Sequence, residues 1–353
     1  MNDGQGHMQG LVCPIPLAHD EKIVLGHGSG GRMSHDLIRR IFQAVFDNPA
    51  LAAGDDAARL DLQRTQIALS TDSHVVWPLF FPGGDIGRLA VCGTVNDVAM
   101  LGAQPCYLTT GFILEEGLPM ETLVRVVQSM QAAAQEAGVQ IVAGDTKVVQ
   151  KGKADGLYIN TAGVGILRPG VHTGGAQARP GDAVLVSGPI GDHGIAVLAA
   201  RGELGFEAEV QSDVAPLNHL IAALLEACPQ AHVLRDPTRG GVATTLNEIA
   251  QQSQTGIVLY EDQIPVRPAV QAACEMLGFD PLYVANEGKV LVIVPQEQAD
   301  AALLAMRSAR YGEQAALIGE VRPVPQGRVL MQTAIGSLRV VDMLSGEMLP
   351  RIC

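Results

Sequence analysis

The sequence has few basic residues and no long apolar run. Lys and Arg total 24 against 37 Asp and Glu, which gives a formal net charge of -13 at pH 7. This balance argues against nucleic acid or an anionic membrane as a partner. No window approaches the roughly eighteen apolar residues of a membrane span, and the N-terminus lacks the charged start and apolar stretch of a secretion signal. Neither membrane insertion nor secretion is expected.

The cysteines also lack the spacing of a metal or redox motif. Six are present, and none forms C-x-x-C or a Cys/His zinc pattern. A chain of 353 residues does not need disulfides to fold. The sequence therefore predicts a reducing, cytoplasmic location.

One cysteine, Cys353, is the last residue of the chain. Chain ends fray, and Pro350 discourages a helix there. An unstructured tail of roughly a dozen residues could reach ~35 Å. We interpret residues 342–353 as a mobile arm that carries a reactive thiol between sites. The alternative is a disordered end that happens to stop at Cys.

Length and composition indicate two domains. The chain exceeds what one core usually organises, and apolar residues make up 47% of it. Four Gly and two Pro between Leu167 and Asp182 leave no room for a regular element. We therefore expect a loose leader at 1–20, an N-terminal domain at 21–168, a C-terminal domain at 182–341 and the tail at 342–353.

Hydrophobic periodicity predicts mixed α and β structure. Glu121 to Ala137 reads as an amphipathic helix with an apolar stripe at Leu123, Val127, Met130 and Ala134, ended by Gly138. The other predicted helices are 86–101, 242–252 and 296–309, and the predicted strands are 66–70, 139–143, 183–187 and 290–294.

Candidate phosphate and metal groups lie in the loops of the first half. The segment G-H-G-S-G-G, with Gly28 and Gly30, leads into a helix near Ser34, where glycine amides can approach phosphate. Asp55 and Asp72 flank the strand 66–70, with Asp72 just past its end, and such carboxylates suit Mg²⁺. A flexible connection and turn-forming Asp residues are the alternative readings.

A polar pair interrupts the apolar helix 86–101. Asn96 and Asp97 lie among Val and Met residues, where unsatisfied polar groups cost several kcal/mol. A metal or nucleotide would satisfy them, and a solvent-exposed helix face is the alternative.

Three further loops carry candidate catalytic groups. Asp145, Thr146 and Lys147 follow a strand, although Lys147 could be an ordinary solvated residue. Asp236 and Arg239 precede a helix N-terminus that could bind phosphate. Glu287, at the mouth of a buried strand, could be a base, a metal ligand or a surface charge.

Taken in order, these motifs resemble one family over residues 23–353. The shared segments are G-H-G-S-G-G, G-D-D-A-A, S-T-D-S, V-N-D-V-A, G-D-T-K-V-V, G-D-H-G, D-P-T-R-G-G, A-N-E-G-K and the terminal P-R-I-C. They are similar to the HypE carbamoyl dehydratases of hydrogenase maturation. P-R-I-C and G-D-T-K-V-V separate the chain from aminoimidazole ribonucleotide synthetases, selenide water dikinases and thiamine-monophosphate kinases. The N-terminal glycine loop also lacks the reactive Cys of selenophosphate synthases.

The resemblance implies an α+β fold of two mixed α/β domains of the aminoimidazole ribonucleotide synthetase-like type, a flexible C-terminal tail and a homodimer. It implies ATP and Mg²⁺, and dehydration of a carbamoyl group on Cys353 to a thiocyanate, the source of cyanide ligands for the hydrogenase iron. The implied partners are a carbamoyltransferase and an iron-carrying scaffold complex. Two alternatives remain, a superfamily ligase or kinase with a small substrate and a non-catalytic carbamoyl carrier.

The resemblance also assigns roles to the candidate residues. Cys353, Glu287 and Lys147 would be catalytic. The metal ligands would be Asp55, Asp72, Asp97 and Asp236. Nucleotide binding would involve these four together with Gly28, Gly30, Asn96, Asp145, Thr146 and Arg239.

Overall fold

The structure is a computed structural model, and it describes residues 31–43, 52–62, 65–202, 209–344, 346 and 352–353. The leader at 1–20 and the glycines Gly28 and Gly30 lie outside the described residues.

The described residues of the first half form a five-stranded sheet and three helices. The helices are α1 (Arg32–Leu37, continued by a π-helical turn Ile38–Gln43), α2 (Ile86–Met100) and α3 (Met120–Ala137). The strands are β1 (Ala58–Leu62), β2 (Thr65–His74), β3 (Phe80–Phe81), β4 (Gly84–Asp85), β5 (Ala103–Glu115), β6 (Gln140–Val149) and β7 (Leu157–Leu167). The sheet order is β1-β2-β7-β5-β6, with only β5 and β6 parallel, and β3-β4 form a separate hairpin.

The second half contains a seven-stranded sheet covered on both faces. Its order is β14-β13-β10-β12-β8-β11-β9. The strands are β8 (Asp182–Val186), β9 (Val233–Arg235), β10 (Gly256–Tyr260), β11 (Leu291–Pro295), β12 (Ala316–Arg322), β13 (Arg328–Gln332) and β14 (Leu338–Val341). The helices are α4 (Asp192–Ala200), α5 (Asn218–Ala227), α6 (Gly241–Ser253), α7 (Pro268–Leu277) and α8 (Ala299–Ser308), with short 3₁₀ turns at Gly175–Gln177, Glu261–Gln263, Pro281–Tyr283 and Gln296–Gln298.

Helix α2 lies at the centre of the first half. Thirteen of its residues are buried, and only Arg88 and Asp97 are partly exposed. It packs on α3 and on strands β2, β5 and β7. The alternative of a solvent-exposed face is therefore wrong, and Asn96 and Asp97 project from a core helix.

The two sheets differ in how their faces are covered. Alternate residues of β8 contact opposite sides, so Leu185 packs with α5 and α8 while Val184 packs with α6. In the five-stranded sheet only the face toward α2 and α3 is covered. Tyr107, Ile113 and Ile166 remain between 44% and 53% exposed. Part of the apolar surface of this sheet is left without cover from the described chain.

The predicted helices and strands are confirmed, with shifted ends and with corrections in β2, β6 and α3. β2 continues to His74, so Asp72 lies inside the strand and not past its end. In α3 the predicted stripe residues Met130 and Ala134 are buried, but Val127 is 46% exposed and Val126 is buried in its place. None of the helices in the described ranges combines the length and apolarity of a membrane span.

Candidate active site

Carboxylates from three elements converge where the two sheets meet. Asp72 comes from β2, Asp97 from α2 and Asp236 from the loop after β9. Ser70 Oγ donates a hydrogen bond of 2.7 Å to Asp97 Oδ2. The structure thus brings together three of the four residues that were predicted as metal ligands.

These carboxylates oppose one another's ionisation. Burial raises the pKa of Asp97 well above its usual value, and the charges of Asp236, Asp72 and Asp56 raise it further. Burial likewise raises the pKa of Asp236 to about 6, against the opposing charge of Arg235. Mutual repulsion of buried acids is the situation that a bound cation relieves.

Arg235 anchors the neighbouring acids. Its Nε lies 2.7 Å from Asp56 Oδ2, and its NH2 lies 2.6 Å from Glu248 Oε2. His35 of α1 lies 2.8 Å from the other oxygen of Glu248. The sequence reading missed this network, although Asp56 stands in the same G-D-D-A-A motif as Asp55 and Arg235 directly precedes D-P-T-R-G-G.

Two predicted ligand residues have structural partners. Asp55 Oδ1 accepts from the Gly175 N–H at 2.9 Å. Asn96 donates to the Ala215 carbonyl at 3.0 Å and accepts from the Leu217 N–H at 2.8 Å. The buried amide of Asn96 is therefore satisfied by main chain of the second half, and the inference that it needs a metal or nucleotide was wrong.

Asn286 ties three motifs together beneath the site. Its side chain donates to the Pro237 carbonyl at 2.9 Å and accepts from the Gly191 N–H at 2.8 Å. This holds the loops of D-P-T-R-G-G, A-N-E-G-K and G-D-H-G against each other. Glu287 and Arg239 are positioned on two of these loops.

The loop that carries Glu287 is packed closely on the segment around Asp213. A Cβ at Gly288 would come within 1.8 Å of the Asp213 carbonyl oxygen, so only glycine allows this approach. Asp213 Oδ1 accepts from the Glu287 N–H at 3.0 Å, and Asp213 Oδ2 lies 3.0 Å from Lys289 Nζ. Glu287 itself is 5% exposed. Burial raises its pKa well above the usual value, with Asp72, Asp236 and Asp213 adding to the effect and Arg239 opposing it.

The end of the tail is docked at this site. The Val75 N–H donates to a terminal oxygen of Cys353 at 3.0 Å, and the Ile352 side chain joins the core around α2. Residues 345 and 347–351 lie outside the described part of the chain. The thiol is within electrostatic reach of Arg239, Glu287 and Asp72.

The docked thiol is not activated. Burial raises the pKa of Cys353 to about 12, and the opposing effect of Arg239 does not offset it. The thiolate is the nucleophilic form of cysteine. In this position the sulfur is therefore suited to carry a neutral group and not to attack one.

Three predicted site residues, Asp145, Thr146 and Lys147, lie away from the carboxylates and the docked thiol in this chain. All three lie inside β6, the exposed edge strand of the five-stranded sheet, and do not follow the end of a strand as predicted. Lys147 Nζ pairs with Asp145 Oδ1 at 2.8 Å, and both side chains are 70% exposed. The structure does not bring these three residues to the docked thiol within one chain.

A buried imidazole adjoins the carboxylates. His74 is 1% exposed, its Nε2 lies 3.5 Å from Asp72 Oδ2, and neither ring nitrogen has a hydrogen-bond partner among the described residues. No periodicity or motif in the sequence distinguished it from an ordinary strand residue.

The carboxylate cluster fits Mg²⁺ as a donor set. Its ligand atoms are oxygens, and a bound cation would offset the mutual repulsion of Asp97, Asp236 and Asp72, which adds to burial in raising the pKa of Asp97. In the described residues no three His, Cys, Asp or Glu side chains form a ready-made metal cage. Mg²⁺ usually takes one or two carboxylates and keeps its waters, so such a cage is not required.

Family models match two parts of the chain. Residues 54–167 match the N-terminal domain of AIR synthase related proteins, and residues 179–332 match the C-terminal domain. The carbamoyl dehydratase HypE of Azotobacter vinelandii is 56% identical over 327 residues, which cover 93% of this chain and 96% of the relative.

Solved structures agree with this likeness. A crystal structure of the hydrogenase maturation protein HypE in complex with ATP is 55% identical, with a TM-score of 0.79, covering 94% of this chain and all of that one (100%). HypE in a crystal structure of a HypE–HypF complex is 52% identical, with a TM-score of 0.84, covering 87% of this chain and 99% of that one. The chain belongs to the HypE family of carbamoyl dehydratases, within the AIR synthase related proteins.

Proposed function

We propose that this chain dehydrates a carbamoyl group carried on Cys353 in an ATP-dependent reaction of hydrogenase maturation. The observation that carries the proposal is the position of Cys353, docked beside Glu287 and Arg239. A terminal thiol without a chemical role is not expected beside a buried carboxyl group and a guanidinium group. The reaction takes a thiocarboxamide to a thiocyanate, which supplies cyanide ligands for the hydrogenase iron.

The carboxylates and Arg239 support a nucleotide role. ATP would supply a phosphoryl group that makes the carboxamide oxygen a good leaving group, and Mg²⁺ would stabilise the phosphate charge. We infer that Asp72, Asp97 and Asp236 hold the metal and that Arg239 contacts phosphate or the activated oxygen. Asp55 and Asp56 shape the loop beside them.

Glu287 is the proposed base. Forming the nitrile requires loss of both protons from the carbamoyl nitrogen, along with loss of the oxygen. A carboxylate with a raised pKa is a stronger base than a solvated one, and Glu287 has that environment. Arg239 opposes the rise and favours the ionised form of Glu287.

Loading of the thiol must occur outside this pocket. With its pKa raised to about 12, docked Cys353 is protonated at neutral pH. We infer that the tail leaves to receive its carbamoyl group from a carbamoyltransferase, as the relative in the HypE–HypF complex suggests. After dehydration it leaves again to reach an iron-carrying scaffold complex. The carbamoylated sulfur is neutral, so its return to the pocket carries no charge-burial penalty.

A second copy of the chain completes the proposed enzyme. The outer face of the five-stranded sheet is apolar and uncovered, and Val142 and Val148 on edge strand β6 are 56% and 68% exposed. An open strand edge invites pairing with another chain. We propose a homodimer through this sheet, in which Lys147 would act beside the partner's tail.

Mass spectrometry of the loaded protein tests the activity. Protein carbamoylated on Cys353 is incubated with Mg²⁺ and ATP, and the mass of the C-terminal peptide is followed. Loss of one water from the adduct is expected, whereas Cys353→Ala should accept no adduct and melt near the wild-type temperature. An unchanged adduct would indicate a non-catalytic carrier. Failure of wild type to accept an adduct would indicate a small-substrate ligase or kinase.

A further inference from the structure

His193 contacts the tail directly. It is the second residue of α4 and is fully buried, at 0% exposure. Its Nε2 lies 2.6 Å from the carbonyl oxygen of Ile352, the residue before the reactive cysteine. The contact joins residues 159 positions apart and comes from the G-D-H-G motif, which the proposed chemistry leaves without a role.

The hydrogen-bond partners fix the tautomer of the ring. A carbonyl only accepts, so Nε2 must carry the proton that bonds Ile352. On the other side, Nδ1 lies 2.8 Å from Ser212 Oγ. That hydroxyl oxygen already accepts from the Val214 N–H at 3.1 Å, which leaves its hydrogen to donate to Nδ1. The chain of donors therefore runs from Val214 through Ser212 and His193 to the tail.

Packing and burial support the same state. The ring meets Phe81 edge-on, with centroids 5.4 Å apart and an interplanar angle of 88°. Burial lowers the pKa of His193, which favours the neutral imidazole, although Asp213 and the bond to Ile352 oppose this. The contacts with Ser212 and Phe81 orient the ring independently of the tail.

Three contacts fix the position of the two terminal residues, Ile352 and Cys353. His193 bonds the Ile352 carbonyl, the Val75 N–H bonds a terminal oxygen of Cys353, and the Ile352 side chain is 5% exposed in the core. Together they fix the main chain on both sides of the cysteine Cα and the side chain before it. They set the direction of the Cα–Cβ bond that carries the sulfur.

We propose that His193 is a positioning residue, which binds the Ile352 carbonyl so that the group on Cys353 faces Glu287 and Arg239. The terminal dipeptide is thus held as a ligand in its own pocket. This inference rests on the proposed function for its purpose, but the binding itself does not depend on catalysis.

Two amide substitutions distinguish the effect of losing the Nε2–H donor of His193 from the effect of losing the aromatic ring. His193→Gln places an N–H near the position of Nε2, whereas His193→Asn places its amide near Nδ1 and cannot reach Ile352. Both remove the aromatic contact with Phe81. The rate at which iodoacetamide alkylates Cys353 in the full chain reports the fraction of molecules in which the tail is undocked. Buried Cys92 serves as the internal reference for loss of fold.

We expect His193→Asn to raise Cys353 alkylation about tenfold and His193→Gln by less than about threefold, with Cys92 unreactive in both. Dehydration of the loaded tail should slow to a similar extent in His193→Asn, with unchanged ATP affinity. Equal alkylation rates in wild type and folded His193→Asn would overturn the inference. Protection of Cys353 in a wild type that never loses water would instead overturn the proposed function alone.

A measurement on wild type covers the case in which His193→Asn does not fold. Nitrogen-15 NMR of the His193 ring distinguishes the two neutral tautomers. The proton is expected on Nε2, with Nδ1 as acceptor. A proton on Nδ1, or a charged ring at neutral pH, would contradict the proposed contact.

Discussion

At the scale of single residues, Glu287 carries the most distinctive environment. It is buried beside Asp72, Asp236 and Asp213, and its loop is fixed by Asn286 and by the close approach of Gly288. A group placed so rigidly can be tested by a substitution that preserves its shape.

Glu287→Gln should bind ATP and accept the carbamoyl group but stall before nitrile formation, with dehydration reduced by about a hundredfold or more. Wild-type dehydration should rise with pH as the carboxyl group ionises, because the raised pKa keeps it protonated in acid. The variant should lose this dependence. Phosphate release and the mass of the Cys353 peptide provide the measurements. Wild-type rates in the variant would remove Glu287 from the mechanism.

Asp97→Asn should make the ligand-free protein more stable and weaken its ligand binding. The substitution removes a carboxyl group whose ionisation is disfavoured by burial and by the charges of Asp236, Asp72 and Asp56. We expect the free energy of unfolding of the ligand-free protein to rise by about 0.5–2 kcal/mol while Mg²⁺-dependent ATP binding weakens. Denaturant unfolding and nucleotide titration measure the two effects. Asp36→Asn, on an exposed pair with Arg39, is the matched control and should change neither.

At the scale of elements, sequence patterns predicted the helices well but did not predict the hydrogen-bond partners of the buried polar side chains on them. The helix at 86–101 was evident from its apolar run, yet the partners of Asn96 lie 121 and 119 residues away in the second half. β2 extends past its apolar segment because its main chain continues to pair with β7, as in the register of Asp72 with Thr161. Main-chain pairing is indifferent to side-chain polarity, so hydrophobic patterning ended the strand too early.

The carboxylates and Glu287 could be predicted because each stands in a short motif. His193 stands in such a motif as well, but a lone buried histidine carries no signal of its partner. The location of Lys147 away from the thiol could not be read from a strand-end pattern, since whether a strand is an edge depends on the order of the whole sheet.

The edge strand β6 gives a prediction at this scale. Val142→Lys or Val148→Lys places a charge on the exposed edge strand β6 and should shift the proposed dimer toward monomer by about tenfold or more in dissociation constant. Val324→Lys, at a similarly exposed position of 66%, is the control. Analytical ultracentrifugation measures the monomer–dimer dissociation constant of each variant. A wild-type monomer, or variants as dimeric as wild type, would rule out this interface.

At the scale of the whole molecule, metal binding should be linked to pH. The raised pKa values of Asp97 and Asp236, about 6 for the latter, mean that the folded ligand-free protein holds protons that a cation must displace. Stabilisation by Mg²⁺ and ATP, measured as a shift in melting temperature, should therefore be smaller at pH about 5 than at pH about 7, because Asp236 loses its proton between the two.

The difference between samples with and without ligand isolates this effect. Titration of histidines remote from the ligand contributes equally to both samples and cancels. Asp97→Asn should show a smaller shift at every pH. An equal shift at pH 5 and 7 in wild type would show that these carboxyl groups do not titrate with ligand binding.

The docked tail has a consequence for how the enzyme would be measured. Because Cys353 is both the terminus of the chain and the carrier of the reacting group, substrate and pocket are always present in equal amounts and at a fixed effective concentration. A loaded sample should convert with a half-time that does not change on dilution, until the proposed dimer dissociates. Each chain can then make one nitrile for each time that the carbamoyltransferase loads it. Output would scale with the number of chains and the frequency of loading, and a Michaelis constant for the carbamoyl group would have no meaning.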